Sequence, residues 1–158
     1  MTPEPVTQGD LPPPILGWSQ SAIIGATSAE VSRALTGLRG NLIRLGLPED
    51  ALIRLELVLA EIMNNIVEHA YAGADSGDMT LEASVHGRAI WCHLRDKGRA
   101  MPGGKLPCPR RYDLDAMRMD DLPEGGFGWG LIHDLTQGLS YRRVAEENHV
   151  RLRIDLDS

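Results

Sequence analysis

Glu61, Asn65 and His69 recur at i, i+4 and i+8 in the run LELVLAEIMNNIVEHAY, Leu55–Tyr71, a spacing that lines a carboxylate, an amide and an imidazole along one edge of a helix. A solvated helix flank usually carries Lys and Glu. Here the double amide Asn64-Asn65 sits mid-helix, although Asn favours caps and turns, so something local must want it. Two other stretches carry chemistry of their own. DKGRAMPGG, Asp96 to Gly104, sets an acidic residue before glycines, which suits a loop whose backbone approaches a ligand closely. EGGFGWGLIHDL brings Gly125, Gly126, Gly128 and Gly130 into a helix. Its free backbone N–H groups and the positive end of the helix dipole would cradle a phosphate. No Gly-Lys-Ser/Thr follows for a P-loop, and no strand with GxGxxG spacing supports a dinucleotide fingerprint, so a different phosphate site is required.

The elements that must position these residues follow from periodicity. Leu52, Leu55, Leu59, Ile62 and Ile66 form the apolar stripe of the central helix, with Pro48 suited to its first turn. Before it come a short strand from Trp18 to Ile24, a cap at Thr27 or Ser28, and a helix from about Ala29 to Leu45 stopped by Gly46. Gly37 and Gly40 weaken that helix, so packing or a close neighbour must hold it. After the central helix, Met79, Leu81, Ala83 and Val85 alternate as a half-buried strand. Ile90, Cys92 and Leu94 alternate in a second, which delivers Asp96 to its tip. Lys105 to Glu124 shows no clean periodicity and reads as a lid. A helix from about Trp129 to Gln137 and two strands, Leu139 to Val144 and Val150 to Leu156, close the chain around the turn AEENH. This order implies a sheet with helices mostly on one face.

At 158 residues the chain is the size of one domain: a flexible, proline-rich arm over residues 1–17 and a single domain over 18–158. Sixteen basic against 22 acidic residues give a formal charge of −6, which argues against a nucleic-acid surface built on bulk positive charge. Cys92 and Cys108 lack CxxC spacing and the five histidines form no HxxxH pair, so neither a disulfide framework nor a zinc site is indicated. With no apolar run of membrane-spanning length and no signal peptide, a soluble, cytoplasmic protein is expected.

In order along the chain, Glu61-x-x-x-Asn65-x-x-x-His69-Ala-Tyr, Asp96-x-Gly98 and Gly125-Gly-x-Gly-x-x-Leu131-Ile132 resemble the successive boxes of the GHKL ATP-binding fold shared by gyrase and the histidine kinases. They are most similar to its compact bacterial branch, the SpoIIAB-like and RsbW-like anti-sigma factor serine kinases. The resemblance covers residues 18 to 156. It implies an α+β two-layer sandwich with a mixed, mainly antiparallel sheet and helices on one face. It also implies that Asn65 holds Mg²⁺ against the phosphates of ATP and that Glu61 is the general base. An amide oxygen is a hard, neutral magnesium ligand, and a carboxylate one turn away can take a hydroxyl proton without occupying the metal. Asp96 would accept a hydrogen bond from the adenine amino group, with Gly98 letting the chain turn beside the base. The same carry-over makes His69, Ala100, Gly125, Gly126, Gly128, Gly130 and Leu131 ATP-binding positions, and Arg110 or Arg111 would compensate charge as the lid closes.

The sequence departs from the family pattern at Ala100 and Pro102, where many relatives have a second glycine, and at Trp129 and Gly130. The turn before the last strand, usually Gly-Thr, reads Glu147-Asn148, with Asn148 as the substitute for the hydroxyl. The resemblance implies a protein serine/threonine kinase that sequesters a sigma factor and phosphorylates a STAS-type anti-anti-sigma protein, working as a homodimer without nucleic acid or membrane contact. Two alternatives stand beside it: an ATP-binding module without turnover, and a detached sensor histidine kinase ATPase domain. The second is disfavoured, because the chain has no helical dimerisation and phosphoacceptor segment.

Overall fold

The computed structural model describes residues 17–74, 76–107 and 127–157. Strand β1, Trp18–Gly25, leads into helix α1, Ser28–Arg44, whose first turn is capped by the Thr27 hydroxyl accepting from Glu30 N at 3.2 Å. Gly46 ends the turn after α1 at φ 77°. Val31, Leu35, Leu38 and Leu42 bury one stripe of α1, and no close neighbour sits at its two glycines, since a Cβ at Gly37 or Gly40 would meet nothing within 4 Å. Helix α2, Glu49–Asn65, starts behind Pro48, which serves as N-cap rather than as a residue of the first turn. Its buried face is wider than the five-residue stripe of the sequence: Ala51, Val58 and Met63 are buried too. α2 is the middle helix, packed between α1 and α3, Phe127–Leu135.

Strands β2, Asp78–His86, β3, Ala89–Asp96, β4, Gly138–Val144, and β5, Glu147–Asp155, complete a five-stranded sheet of order β1-β2-β3-β5-β4. Every pairing is antiparallel, so the mixed component of the expected sheet is not found among the described residues. Hairpin connections suffice for β2-β3 and β4-β5, and no parallel crossover is needed. The helix side of the sheet contributes Ile24, Met79, Leu81, Val85, Ile90, Leu94, Val150, Leu152 and Ile154 to one core with the helices. The α+β two-layer arrangement is therefore the one expected.

The last hairpin differs from its sequence reading. The turn is only Ala145-Glu146, at φ 49° and 64°, and β5 already begins at Glu147. Asn148 is thus a strand residue, 3% exposed, opposite Asp96 on β3 and Arg143 on β4. No described helix is long and apolar enough to cross a membrane.

Candidate functional site

The motifs converge on the end of α2. α-Helical phase lasts only to Asn65, after which Ile66–Ala70 form a wider π-helical turn closed by Tyr71 N donating to Ile66 O at 3.1 Å. Glu61 and Asn65 therefore stay one above the other, half-buried, and the Asn65 amide makes no hydrogen bond among the described residues. His69 falls out of line, because the extra residue in the turn shifts its phase. Its side chain is 75% exposed and its ionic neighbour is Glu68 at 4.0 Å.

The wide turn has a visible purpose. Tyr71 donates its hydroxyl proton to Asp78 O at 2.6 Å and accepts from Lys97 N at 3.0 Å, joining the end of the helix to the starts and ends of β2 and β3. Burial pushes the Tyr71 phenol above its ordinary pKa, which keeps the donor proton in place. Gly77 has no side chain because a Cβ there would lie 2.5 Å from the Tyr71 ring. Ala70 is brought against the loop after β3, where Arg99 N donates to Ala70 O at 2.7 Å. A Cβ at Gly98 would lie 2.5 Å from that carbonyl oxygen, so glycine is required here for close approach and not for a positive φ.

Asp96, at the tip of β3, faces the helix side of the sheet and is 5% exposed. Its Oδ1 accepts from Gly98 N at 2.9 Å and from Asn148 Nδ2 at 2.9 Å. Burial raises its pKa, against the pull of the Asn148 and Gly98 donors and the Arg143 charge. Oδ2 accepts nothing from the described residues, and the free oxygen of a carboxylate otherwise buried is suited to a ligand's N–H. Asn148, expected in a turn, instead reaches both Asp96 and the loop, with Nδ2 donating to Arg99 O at 2.8 Å.

Helix α3 meets Glu61 directly. A Cβ at Gly128 would fall 2.5 Å from Glu61 Oε2, so the first turn of the helix stands flush against that carboxylate. Trp129 and Ile132 anchor α3 in the core, Leu131 is half-buried, and nothing lies within 4 Å of a Cβ at Gly130. Ala100 is exposed. Arg110, Arg111, Gly125 and Gly126 lie outside the described residues. Among those described, no group of three or more His, Cys, Asp or Glu is placed to hold a metal ion. Cys92 is no nucleophile, because burial pushes its thiol up to about 12.

The sequence matches the family model described as Histidine kinase-like ATPase domain over residues 24–154. The chain belongs to the histidine kinase-like ATPase family. Within it, the chain is 31% identical over 98 residues to the serine/threonine-protein kinase BtrW of Bordetella bronchiseptica, a match spanning 62% of this chain and 66% of that protein. Its fold resembles the crystal structure of the RsbU and RsbW domains of Rv1364c from Mycobacterium tuberculosis, with TM-score 0.60 and 17% identity, covering 87% of this chain and 32% of that one. The first likeness is to a protein named as a serine/threonine kinase, and the second is a likeness of fold. Sequence reasoning quoted Tyr71 at the end of the first motif without giving it a role, and it missed Tyr141 and Arg143. The signal for Arg143 was available in the strand alternation, which puts it on the same face as Leu139 and Tyr141.

Proposed function

We propose that this histidine kinase-like ATPase domain binds ATP and transfers its γ-phosphoryl group to a serine or threonine hydroxyl of a STAS-type anti-anti-sigma protein, and that it also sequesters a sigma factor. The observation that carries the nucleotide reading is the open Oδ2 of Asp96 at the base of a site whose Oδ1 is already filled. An acceptor-only carboxylate selects a purine with an amino group at position 6, which is adenine. Gly98 leaves the loop backbone close to Ala70. Gly128 lets the first turn of α3 pack against Glu61, which puts the positive end of a helix dipole beside that carboxylate, where phosphate charge would also be favoured.

In the transfer, the acceptor hydroxyl oxygen forms the new bond to the γ-phosphorus, the bond to the β-phosphate bridging oxygen breaks, and ADP leaves. Glu61 takes the hydroxyl proton, and its half-buried position leaves a protein acceptor room to approach. Asn65, with an amide free of partners among the described residues, would hold Mg²⁺, which when bound neutralises phosphate charge. His69, Ala100, Gly130 and Leu131 remain candidate contacts at the margin of this site, as do Arg110, Arg111, Gly125 and Gly126. Residues 18–158 would act as one domain behind the arm of residues 1–17, as a cytoplasmic homodimer without nucleic acid or membrane contact.

Incubation with γ-labelled ATP and candidate STAS proteins tests the proposal: label should appear on a serine or threonine of one of them. Binding of ATP and a sigma factor with no transfer to any STAS protein would instead make the domain a module whose shape ATP sets.

A further inference from the structure

Arg143, Asn148 and Asp96 lie side by side on β4, β5 and β3, on the sheet face that buries Val150 and Leu94 one step further along. Asp96 and Asn148 are buried there, so their polar atoms need partners. An amide side chain has two N–H donors and two acceptor positions on its oxygen. Asn148 uses all of them. Nδ2 donates to Asp96 Oδ1 at 2.9 Å and to Arg99 O at 2.8 Å. Its Oδ1 accepts from Tyr141 OH at 2.6 Å and from Arg143 Nη1 at 2.8 Å. No capacity is left for a ligand, so Asn148 does not touch the base.

We propose that Asn148, clamped by Tyr141 and Arg143, is a positioning residue that sets the purine selectivity of Asp96. This rests on reading the site as a nucleotide pocket. With Gly98 N, the Asn148 amide loads Oδ1, and only Oδ2 is offered to position 6 of the base. Both donors also favour the ionised carboxylate against its burial. An ionised Asp96 can only accept, so it takes a 6-amino purine; a protonated one can donate to a 6-oxo purine. The same clamp fixes the loop that follows, since Arg143 Nη1 donates to Gly98 O at 2.9 Å and Met101 N donates to the Tyr141 hydroxyl at 3.0 Å. Loss of the clamp therefore both frees the carboxylate and raises its proton affinity.

The test uses the full chain with ATP and ITP, which differ at position 6, between pH 6 and 8.5. The variants are Asn148→Leu, which has similar bulk and no donor, Asn148→Thr, which keeps one hydroxyl donor, and Tyr141→Phe, which removes a single oxygen. In the wild type, preference for ATP should be at least about tenfold and nearly flat with pH. In Asn148→Leu it should shrink, most at low pH, and Asn148→Thr should restore part of it. Tyr141→Phe should lie between, and it carries the test if the leucine variant does not fold. In the nucleotide-free proteins, carbon-13 NMR of the Asp96 carboxyl should show a higher titration midpoint in Asn148→Leu than in the wild type. An unchanged ATP preference at every pH, with an unchanged Asp96 midpoint in Asn148→Leu and Tyr141→Phe, overturns the proposal. A wild type that binds neither nucleotide overturns the pocket reading and the selectivity role with it. The carboxyl titration then still reports whether Asn148 holds Asp96, so the two failures are distinct.

Discussion

Replacing Asp96 by Asn should move stability and nucleotide affinity in opposite directions. In the folded chain, burial raises the Asp96 pKa above that of an unfolded aspartate. Stability from such a group is fully present below the unfolded value, about 3.9, and is lost as pH rises through the folded one. At pH 7 the ionised carboxylate is therefore a net cost to the empty protein. Asn keeps an oxygen in the place of Oδ1, so the bonds from Gly98 N and Asn148 Nδ2 survive while the charge goes. Nucleotide-free Asp96→Asn should consequently melt at or above the wild-type temperature at pH 7 to 8, and its advantage should shrink toward pH 4.

Binding changes the other way, because the amide NH₂ of the variant stands where Oδ2 stood and faces the adenine amino group donor to donor. Losing a hydrogen bond to a charged group in a closed site costs about 1.5–3 kcal/mol, roughly a 10- to 150-fold loss of ATP affinity. GTP, whose 6-oxygen can accept from the new amide, should lose less or gain. Titration calorimetry with both nucleotides, alongside melts across the pH range, measures each limb. Unchanged ATP affinity would remove Asp96 from base recognition. A large drop in the melting temperature at pH 8 would show that the carboxylate is held by more than the two donors seen.

Glu61→Gln should keep ATP affinity yet slow phosphotransfer by about 10²–10⁴-fold, whereas Asn65→Ala should lose Mg²⁺-dependent binding as well as transfer, which binding assays paired with single-turnover kinetics will separate. The two glycines that touch the site should fail differently: Gly98→Ala drives a Cβ into the Ala70 backbone, which cannot rotate away, and should cost about 1–3 kcal/mol in urea unfolding. Gly128→Ala meets only the flexible end of Glu61, so stability should stay within about 1 kcal/mol while transfer falls through displacement of the carboxylate. Replacing Ala145-Glu146, both at positive φ, by Asn-Gly should stabilise the last hairpin by about 1 kcal/mol, read as a raised unfolding midpoint with nucleotide affinity unchanged.

Element order was legible because each element carries its own period: the α2 stripe, the alternation through Met79–Val85, and the alternation through Ile90–Leu94 all fold as they read. The π-helical turn after Asn65 was not. It goes with bonds that Tyr71 makes to Asp78 and, across the sheet's end, to Lys97, and helical spacing alone does not record them or the change of phase at His69. The strand order β3-β5-β4 is likewise a product of packing, which no single strand records.

Asn148 shows how a local rule can lose to a tertiary one. The run Glu147-Asn148 looks like turn chemistry, while the true turn, Ala145-Glu146, has neither of the residues that usually mark positive φ. What identified the strand was the partner set. Asp96 and Asn148 fall on the phase that faces the helices, and a polar residue in that phase is tolerable only beside another that completes it. Arg143, Asn148 and Asp96 complete one another across three strands until, among the described residues, one oxygen is left over. One N–H of the Asn148 amide fills Asp96 Oδ1, and the other ties down Arg99 O as well. Asn148 is in turn held by Tyr141 and Arg143, which both donate to its Oδ1, so support for the Asp96 carboxylate runs through three strands.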